Sequence, residues 1–481
     1  MNAEAIPLLY KFGYLAKAGE RLKLASSLKS KLPFWREYFF NELSLFAHPD
    51  LPITFSTKSN NNVVILGHAF NPFSKTLDSQ LVCDKLASFE EESSAFFEEM
   101  DELSGRFIVF AKFKNVWRAY PDGFSSKMRY FTKESSPTLS SHVNLLAEAT
   151  GSSIDFDMYA FITSEAYKKK DVKNLPGLKT EFENVYVAPA NHSLRLDNGA
   201  LTRFWPRGNI CHKDTELASN VLISYLDGYS DYIAQNFDEE IFGLTGGMDS
   251  RTMLAPLIAK GVKLNTFTQL RGSQSNLADL KAAKALAEKF NFSHRVIDVS
   301  SQDARVNGYF SESRKALRTN GGPHRLNTVF STDALYNAYK DLNTLTNYSR
   351  GFGGEILRGF HQRNGKKLKV AEAEHFSKIM AIHAQTALSI DAFAEQISML
   401  DYDNCYDADL YDLFYMEHRM SKWGANSMNE TDIAVHTMVG FNSRKLYASS
   451  MGLPLETREK RSAFRDSVDY FCKELFEVDI V

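Results

Sequence analysis

Residues 242–251 read Phe242-Gly-Leu-Thr-Gly-Gly-Met-Asp-Ser-Arg251 and join a strand candidate at 240–244 to a helix candidate at 250–260. The pair of glycines between them allows the backbone to turn tightly before the helix begins. Free backbone N–H groups and the positive end of the helix would then point at one place, where an anion can bind. The segment therefore predicts a phosphate-binding loop between a strand and a helix.

Three side chains of this loop bear on what it binds. Thr245 and Ser250 can donate hydroxyl hydrogen bonds to an anion, whereas Asp249 would repel a bare phosphate. Asp249 makes sense if it holds Mg²⁺ that bridges to the phosphates. An ordinary βα turn with a capping Asp or Ser is the structural alternative, and the complete string favours the phosphate–Mg²⁺ site. The predicted nucleotide-binding residues of the loop are Leu244, Thr245, Gly246, Gly247, Asp249 and Ser250.

Strand and helix candidates continue to alternate after this loop. Strands are expected at 263–269, 295–298 and 343–347, and a helix is expected at 277–290. Strands spaced by helices imply βαβ units and a parallel sheet. The fold predicted for this half is a doubly wound α/β fold, followed from residue 371 onward by a mostly helical part.

The residues before this half have the texture of β structure. Strand candidates lie at 106–113, 116–120 and 127–132, and a hairpin turns at Asp197-Asn-Gly199. We place a domain boundary near 206–213. The expected domains are an amino-terminal one at 1–208 and a carboxy-terminal one at 209–481.

Composition and charge exclude several classes of function. With 481 residues, 44% hydrophobic and 24% charged, the chain is typical of a soluble globular protein of two or three domains. Its net charge of -3, with no long basic run, argues against nucleic acid as a partner. No apolar stretch is long enough for a membrane span or a signal peptide, so a cytoplasmic location is expected. The cysteines are too scattered for a metal or redox site: Cys83, Cys211, Cys405 and Cys472.

The segment 244–250 resembles the S-G-G-x-D-S pyrophosphate loop of the asparagine synthetase and β-lactam synthetase group of N-type ATP pyrophosphatases. Thr245 stands where Ser is usual in that group. The segment 266–268, Thr-Phe-Thr, resembles the strand that follows the loop in this family. This resemblance implies that Phe267 and Thr268 line an adenosine site.

A second segment, 350–359, reads Arg-Gly-Phe-Gly-Gly-Glu-Ile-Leu-Arg-Gly and resembles the family's G-E-G-x-D-E-x-x-G-G stretch. The resemblance places Glu355 where a metal-binding Asp is expected, and it implies that Gly353 and Gly354 contact the nucleotide. Phe352 and Ile356 replace two acids of the family pattern. Their loss implies a substrate other than aspartate, or weakened chemistry, and a glycine-rich loop packed against the sheet is the structural alternative.

The amino-terminal half resembles the family's glutaminase domain, at 103–107 with L-x-G-x-F and at 122–127 with D-x-x-G-x-K. Ser125 replaces a Gly of the second pattern. The resemblance implies an Ntn-hydrolase-like β-sandwich. Such glutaminases use an amino-terminal Cys as nucleophile, but this sequence begins Met1-Asn and its first cysteine is Cys83. We therefore expect a degenerate glutaminase-like domain that serves as a scaffold.

Near the carboxyl end, 417–423 and 441–447 resemble the family's helical lid over the acceptor site. The family has a late lysine that stabilises developing charge. Its candidates are Arg458, Lys460 and Arg461, each of which also fits a solvated basic helix face. Glu417 is a candidate acid or base, with an ion pair to Arg419 or Arg444 as the structural alternative. The predicted catalytic residues are Lys460, Arg461 and Glu417.

These features together predict an ATP- and Mg²⁺-dependent ligase or cyclase that adenylates a carboxylate and forms an amide without glutamine as nitrogen donor. Asp249 and Glu355 are the predicted metal ligands. The expected partners are a small-molecule or peptide carboxylate and an amine, with no nucleic acid or membrane. A homo-oligomer is left open. The alternatives are an ammonia-fed amidotransferase acting on a sugar acid, and a non-catalytic protein with an ATP-binding fold. A third alternative, adenylation of a tRNA base, is disfavoured by the lack of paired cysteines and of a basic surface.

Overall fold

The structure is a computed structural model that describes residues 6–56, 62–169, 173–212, 214–270, 273–299, 312–325, 330–342, 345–360, 367–380 and 386–481. The strands in these ranges are β1 (Tyr14–Ala18), β2 (Arg36–Phe40), β3 (Leu43–Ala47), β4 (Ile53–Phe55), β5 (Val63–Phe70), β6 (Ser104–Phe113), β7 (Val116–Pro121), β8 (Tyr130–Thr132), β9 (Leu139–Ser140), β10 (Val185–Val187), β11 (His192–Arg195), β12 (Leu201–Arg203), β13 (Glu239–Gly243), β14 (Leu264–Leu270), β15 (Ser293–Asp298), β16 (Thr346–Arg350) and β17 (His436–Val439).

The helices of the described ranges follow in chain order. They are α1 (Ser26–Lys31), α2 (Ser79–Ala87), α3 (Ser94–Glu102), α4 (Val143–Thr150), α5 (Phe156–Thr163), α6 (Glu165–Lys168), α7 (Thr215–Asn236), α8 (Met248–Ala259), α9 (Gln274–Lys289), α10 (Glu312–Gly321), α11 (Phe330–Tyr339), α12 (Gly354–Leu357), α13 (Ala373–Ile379), α14 (Ala387–Met399), α15 (Leu410–Phe414), α16 (Ala425–Thr431), α17 (Arg444–Met451), α18 (Leu455–Glu459) and α19 (Ser462–Cys472). Between α15 and α16 the helix continues as a π-helical segment, Tyr415–Gly424.

The amino-terminal half is a sandwich of two antiparallel sheets. Their strand orders are β10-β8-β9-β1-β3-β2 and β12-β11-β7-β6-β5-β4. Alternate residues of β1 and β3, such as Tyr14 and Leu45, pack against Leu66 of β5 and Phe110 of β6 between the sheets. A β-sandwich was expected from the resemblance of this half to a glutaminase domain. Its assignment as an Ntn-hydrolase-like domain stays a prediction, as does the division at 208.

The carboxy-terminal half contains a five-stranded sheet in the order β15-β14-β13-β16-β17, in which every neighbouring pair is parallel. Its two faces are both covered. Phe242 of β13 joins the large core that includes Leu254 of α8, whereas Ile241 packs with Leu335 of α11 on the other face. The predicted α/β fold with a parallel sheet and helices is confirmed.

Two details of this sheet differ from expectation. The fourth strand runs over Thr346–Arg350 rather than 343–347, because its register is set by parallel pairing with β13, which begins at Glu239↔Thr346. Residues 343 and 344 lie outside the described ranges. The fifth strand, β17, was not predicted, because four residues between two helical segments give too short a pattern.

Buried polar contacts join the two halves. Arg106 of β6 donates from Nη1 to both carboxylate oxygens of Asp432, at 2.7 and 2.6 Å, and from Nη2 to Asn429 at 2.7 Å. Both members of this ion pair are almost completely buried. Within the described ranges, no helix is long and apolar enough to cross a membrane.

Candidate functional site

Two loops meet at the point where the strand order of the parallel sheet reverses. Chain order runs from β13 outward to β14 and β15, and then returns to β16 on the other side of β13. Residues 244–247 follow β13 and lead into α8, and residues 351–353 follow β16 and lead into α12. Because neighbouring parallel strands end at the same edge, both loops lie at the switch point, where open α/β sheets bind their ligands.

The first loop is held to the sheet and lined by its own hydroxyls. The N–H of Leu244 donates to the carbonyl of Phe267 at 2.8 Å, and the hydroxyl of Thr268 donates to the carbonyl of Leu244 at 2.7 Å. The N–H of Thr245 lies 3.4 Å from Oγ of Ser250, and the N–H of Gly247 lies 3.3 Å from Oγ1 of Thr245. These last two contacts are long, so the donors are available to a stronger anionic acceptor.

Gly246 is fixed from the inner side of the loop. Its N–H donates to Oδ1 of Asp279 at 3.0 Å, and its carbonyl accepts from the N–H of Val481 at 3.1 Å and from the guanidinium of Arg251 at 3.3 Å. A Cβ at this position would lie 2.8 Å from Cβ of Ala282 and from Cγ2 of Val481. Gly246 therefore shapes the loop by close packing, and its own N–H is directed at Asp279 rather than at a ligand.

The fully buried Arg251 connects this loop to the last residues of the chain. Its guanidinium donates to the carbonyls of Leu475, of Val478 at 2.6 Å and of Asp479 at 2.5 Å. These bonds tie the segment around 475–481 against the outside of the loop. The sequence motif ends at Arg251, and the sequence pattern assigned no role to this residue.

A cavity of about 390 Å³ opens beside the loop. Pockets of this size are within the range that holds small ligands and cofactors. Its lining includes predicted nucleotide-binding residues from both the loop and β14. The lining residues are Gly243, Leu244, Thr245, Phe267, Thr268, Gln269, Ser273, Asn276, Asp279 and Tyr348. A larger cavity, of about 1040 Å³, lies between β12 and residues 397–410 and contains none of the predicted site residues.

Asp249 and Glu355, the predicted metal ligands, lie close together across the switch point. A Cβ on Gly354 would lie 3.6 Å from Cγ of Asp249. Burial raises the pKa of the Glu355 carboxyl, and the negative charge of Asp249 raises it further. Nε of Arg358 lies 3.2 Å from Oδ2 of Asp249. Oδ1 of Asp249 and Oε2 of Glu355 are buried and make no hydrogen bond within the described part of the chain.

These two carboxylates fit Mg²⁺ that is shared with a phosphate. Magnesium in nucleotide sites is commonly bound by one or two carboxylates, with phosphate oxygens and waters completing the coordination. The two buried oxygens without partners are suitable acceptors for such an ion. Among the residues that the structure describes, no group of three or more His, Cys, Asp or Glu side chains could hold a metal on its own.

The glycines of the second loop act through the backbone. Gly353 has φ +92°, and a Cβ there would collide with the carbonyl oxygen of Phe441. This turn starts α12 and thereby presents Glu355 next to Asp249. Ile356 is buried in the main core, whereas Phe352 is only half-buried.

Among the residues that the structure describes, the hydrogen bonds and ion pairs of the three residues predicted as catalytic go elsewhere than to the two loops. Glu417 is fully buried and pairs with Arg203, at 2.6 Å from Nη1 to Oε1, rather than with the expected Arg419 or Arg444. The reason is that the π-helical segment turns Glu417 toward the sandwich, where Asn191 also donates to it at 3.0 Å. Lys460 is exposed and pairs with Glu456 at 3.1 Å, and Arg461 is the residue that precedes α19, with φ +54°.

Residues to which the sequence assigned no single role support the site instead. Arg458 donates to the carbonyls of Leu357, at 3.2 Å, and of Ile356, and it pairs with Asp412 at 2.6 Å, so it holds α12 in place. Arg358 directly follows α12, and the sequence pattern assigned it no function. Arg358 lies three residues after Glu355, on the same helical turn, and this spacing is the signal that could have indicated that the two side chains are close together.

Comparisons with known proteins bear on this half of the chain. The NAD synthase family model matches residues 222–338, from α7 into α11. No curated protein matches the chain. Among solved structures, the chain is similar to the NMN synthetase of Francisella tularensis, with 13% identity, coverage of 46% of this chain and 97% of that chain, and a TM-score of 0.22.

Two further solved structures are similar to the chain with comparably low identities and TM-scores. The NH3-dependent NAD synthetase of Campylobacter jejuni has 17% identity, coverage of 53% of this chain and 96% of that chain, and a TM-score of 0.20. The glutamine phosphoribosylpyrophosphate amidotransferase of B. subtilis has 10% identity, coverage of 74% of this chain and 73% of that chain, and a TM-score of 0.25. These TM-scores are low, so the assignment depends on the family model, and the finer likeness to asparagine synthetases stays a prediction. The matched segment contains the phosphate loop, β14 and α9, and over these residues the chain is similar to the NAD synthase family.

Proposed function

We propose that the chain is an ATP-dependent, AMP-forming ligase that adenylates a substrate carboxylate and then forms an amide with an amine. The observation that supports this most directly is the carboxylate pair Asp249 and Glu355 at the switch point, where residues 243–245 of the first loop line the 390 Å³ cavity. The NAD synthase family match over the same loop supports ATP-dependent amide formation as the reaction class.

In the first half-reaction, a carboxylate oxygen of the substrate bonds to the α-phosphorus of ATP as the bond to the bridging oxygen breaks and pyrophosphate leaves. Loop N–H groups and the hydroxyls of Thr245 and Ser250 bind the departing pyrophosphate at the start of α8. Mg²⁺, held by Asp249 and Glu355 when bound, supplies charge neutralisation for the phosphates.

In the second half-reaction, the nitrogen of an amine attacks the acyl carbon, the acyl–oxygen bond to AMP breaks, and the amine loses a proton to solvent. We propose that this amine is a substrate amine or free ammonia rather than one released from glutamine. Burial raises the thiol pKa of three cysteines, to about 12 for Cys83, about 12 for Cys405 and about 11 for Cys472. A thiol that stays protonated is a weak nucleophile, so these three cysteines are poor candidates for attack on glutamine.

The proposal is tested by pyrophosphate release from Mg-ATP with small carboxylates, and with ammonia, amines or glutamine as nitrogen donor. Affinity for Mg-ATP is measured on the same samples by calorimetry. We expect Asp249→Asn and Glu355→Gln to weaken Mg-ATP binding by more than about 100-fold, because loss of a residue that merely hydrogen-bonds to a metal ligand already costs about 10–100-fold in metal affinity. The exposed Asp469→Asn is the matched control and should leave both measurements unchanged.

Pyrophosphate release that needs both a carboxylate and Asp249 would support the ligase. Mg-ATP binding that survives Asp249→Asn unchanged would refute the metal assignment. A wild-type chain that binds no Mg-ATP would refute the enzyme as proposed and leave a non-catalytic role for the domain. Release supported by glutamine alone would refute the proposed nitrogen donor.

A further inference from the structure

The carbonyl of Gly246, in the middle of the first loop, is held by Arg251 and by the last residue of the chain. It accepts a hydrogen bond from the N–H of Val481 at 3.1 Å, and Nε and Nη2 of Arg251 each donate to it at 3.3 Å. This carbonyl and the N–H of Gly247 belong to the same planar, trans peptide unit and point in opposite directions. The contacts that fix the Gly246 carbonyl therefore also fix the direction of the Gly247 N–H.

The N–H of Gly247 is one of the donors that the loop can offer to an anion. Its acceptor within the loop is Oγ1 of Thr245 at 3.3 Å, which is a long contact. The N–H of Gly246, by contrast, is bound to Oδ1 of Asp279 at 3.0 Å. Pyrophosphate at this loop would therefore depend on the direction of the Gly247 N–H, and residues outside the loop set that direction.

Arg251 links the loop to residues 475–481, which we call the carboxy-terminal segment. The Arg251 side chain is 0% exposed, and all five N–H donors of its guanidinium are used. Besides Gly246, the acceptors are the carbonyls of Leu475, of Val478 at 2.6 Å and of Asp479 at 2.5 Å. A planar guanidinium keeps its donors in a fixed arrangement, so it holds the segment and the loop in one relative position.

Arg251 also places a positive charge directly behind the loop. Within the described ranges, its hydrogen bonds go to backbone carbonyls and none goes to a carboxylate. Buried charges in proteins are normally paired with an opposite charge. An anion bound by the N–H groups on the other side of the loop would supply such a charge, which suits this position to pyrophosphate.

We propose that Arg251 and the carboxy-terminal segment position the pyrophosphate site. They orient the N–H of Gly247 toward the β- and γ-phosphates of ATP, and they thereby determine how much more tightly the chain binds ATP than AMP. This inference rests on the proposed ligase function, and it adds to the proposed site a part of the chain that lies outside the sequence motif. Both act through the carbonyl of Gly246 and not by contact with the reacting atoms.

The test compares the affinities of the full chain for AMP and for the non-hydrolysable α,β-methylene analogue of ATP with Mg²⁺, both measured by calorimetry. The main variant is a deletion of residues 479–481, which are exposed. The deletion removes one acceptor of Arg251 and the donor of Val481 to Gly246. We expect it to weaken binding of the analogue at least about 10-fold, because one hydrogen bond to a charged group accounts for that much. Binding of AMP should stay unchanged, because AMP lacks the β- and γ-phosphates.

Three further variants separate positioning from a general effect on the fold. Replacement of residues 479–481 by three alanines should restore most of the lost affinity, because the contacts to Gly246 and Arg251 are made by the backbone. Arg251→Lys keeps the positive charge but not the planar fork, so it should weaken the analogue as the deletion does. Combined with the deletion it should cost little more, since both changes act through the same carbonyl. The matched control Arg465→Gln removes an exposed arginine from α19 and should leave both affinities unchanged.

An unchanged affinity for the analogue after the deletion would overturn the inference, and so would equal losses for AMP and for the analogue. Fully additive losses in the combined variant would overturn it as well, as would no recovery with the three alanines. A wild-type chain that binds the analogue no more tightly than AMP would overturn the proposed function and this inference with it, whereas the other outcomes overturn the inference alone.

Discussion

Glu417 and Arg203 form a buried ion pair between the π-helical segment and β12. Nη1 and Nη2 of Arg203 lie 2.6 and 3.1 Å from the two carboxylate oxygens, and both side chains are at most 4% exposed. Asn191 donates a further hydrogen bond to Oε1. These contacts use the acceptor capacity of Glu417 inside the protein, and we expect it to stabilise the fold; its catalytic role stays a prediction.

We expect Glu417→Ala to lower the free energy of unfolding by about 3–5 kcal/mol, because it leaves the Arg203 guanidinium buried without its partner. Urea denaturation measures this change. A catalytic role would instead give unchanged stability with a loss of pyrophosphate release. The exposed Glu456→Ala, which removes the partner of Lys460, is the matched control and should cost less than about 1 kcal/mol.

At the level of single residues, the sequence predicted the candidate carboxylates Asp249 and Glu355 but not which residues lie next to them in the fold. Asp249 and Glu355 are more than 100 positions apart, and only the parallel pairing of β13 with β16 brings them together. The position of Arg358 beside Asp249 depends on the same pairing. Local patterns cannot report such contacts, because they describe neighbours along the chain. Whether the two carboxylates bind metal stays a prediction.

At the scale of elements, the short helix α12 depends on the glycine before it. Gly353 adopts φ +92° and its Cα faces the carbonyl of Phe441 without room for a Cβ. We expect Gly353→Ala to shift the start of α12 and move Glu355 away from Asp249. The measurement is Mn²⁺ affinity in the presence of the ATP analogue, which should fall at least about 10-fold.

Gly261 provides the control for this prediction. It has φ +66°, and a methyl group added there would meet no atom within 4 Å, so Gly261→Ala adds backbone strain of about 1–2 kcal/mol without a collision. The Mn²⁺ affinity of Gly261→Ala should match that of the wild type. A Mn²⁺ affinity of Gly353→Ala equal to that of the wild type would show that the turn tolerates a side chain and that α12 does not depend on the glycine.

The elements that the sequence predicted best are those with long, regular patterns. β13, α8, β14, α9 and β15 were expected within a few residues of their observed bounds. β16 was displaced by three residues and β17 was missed. Both are short strands whose limits come from pairing with neighbours rather than from their own composition, so tertiary contacts determine them.

At the scale of the whole molecule, buried histidines make the contact between the two halves sensitive to acid. His142 precedes α4 and is 2% exposed. Burial lowers its pKa to about 3, with further lowering by the nearby charges of Lys127 and Arg106. Asn429 of the other half donates to the carbonyl of the adjacent Ser141 at 2.9 Å. A proton on His142 would therefore place a third cation at a buried interface.

An unfolded histidine takes up a proton near pH 6.5, whereas folded His142 stays neutral until about pH 3. Between these values the unfolded state binds more protons, so this contribution to stability falls as the pH falls. We expect wild type to lose about 2 kcal/mol more than His142→Gln between pH 7 and pH 5, measured by urea denaturation. The difference between wild type and His142→Gln cancels the contributions of the other titrating groups to the loss of stability. The control variant His375→Gln should lose as much stability between pH 7 and pH 5 as wild type does.

The bonds from Arg251 to the last residues of the chain have a consequence for its synthesis. Arg251 and Leu475 are 224 positions apart, and the carbonyl of Gly246 is bound by the N–H of Val481. At typical translation rates, roughly ten to forty-five seconds separate the emergence of these partners from the ribosome. During that interval the nascent phosphate loop lacks the contacts that shape it. We expect a ribosome-bound chain whose residues 475–481 have not yet emerged to bind nucleotide more weakly than a chain in which they have emerged.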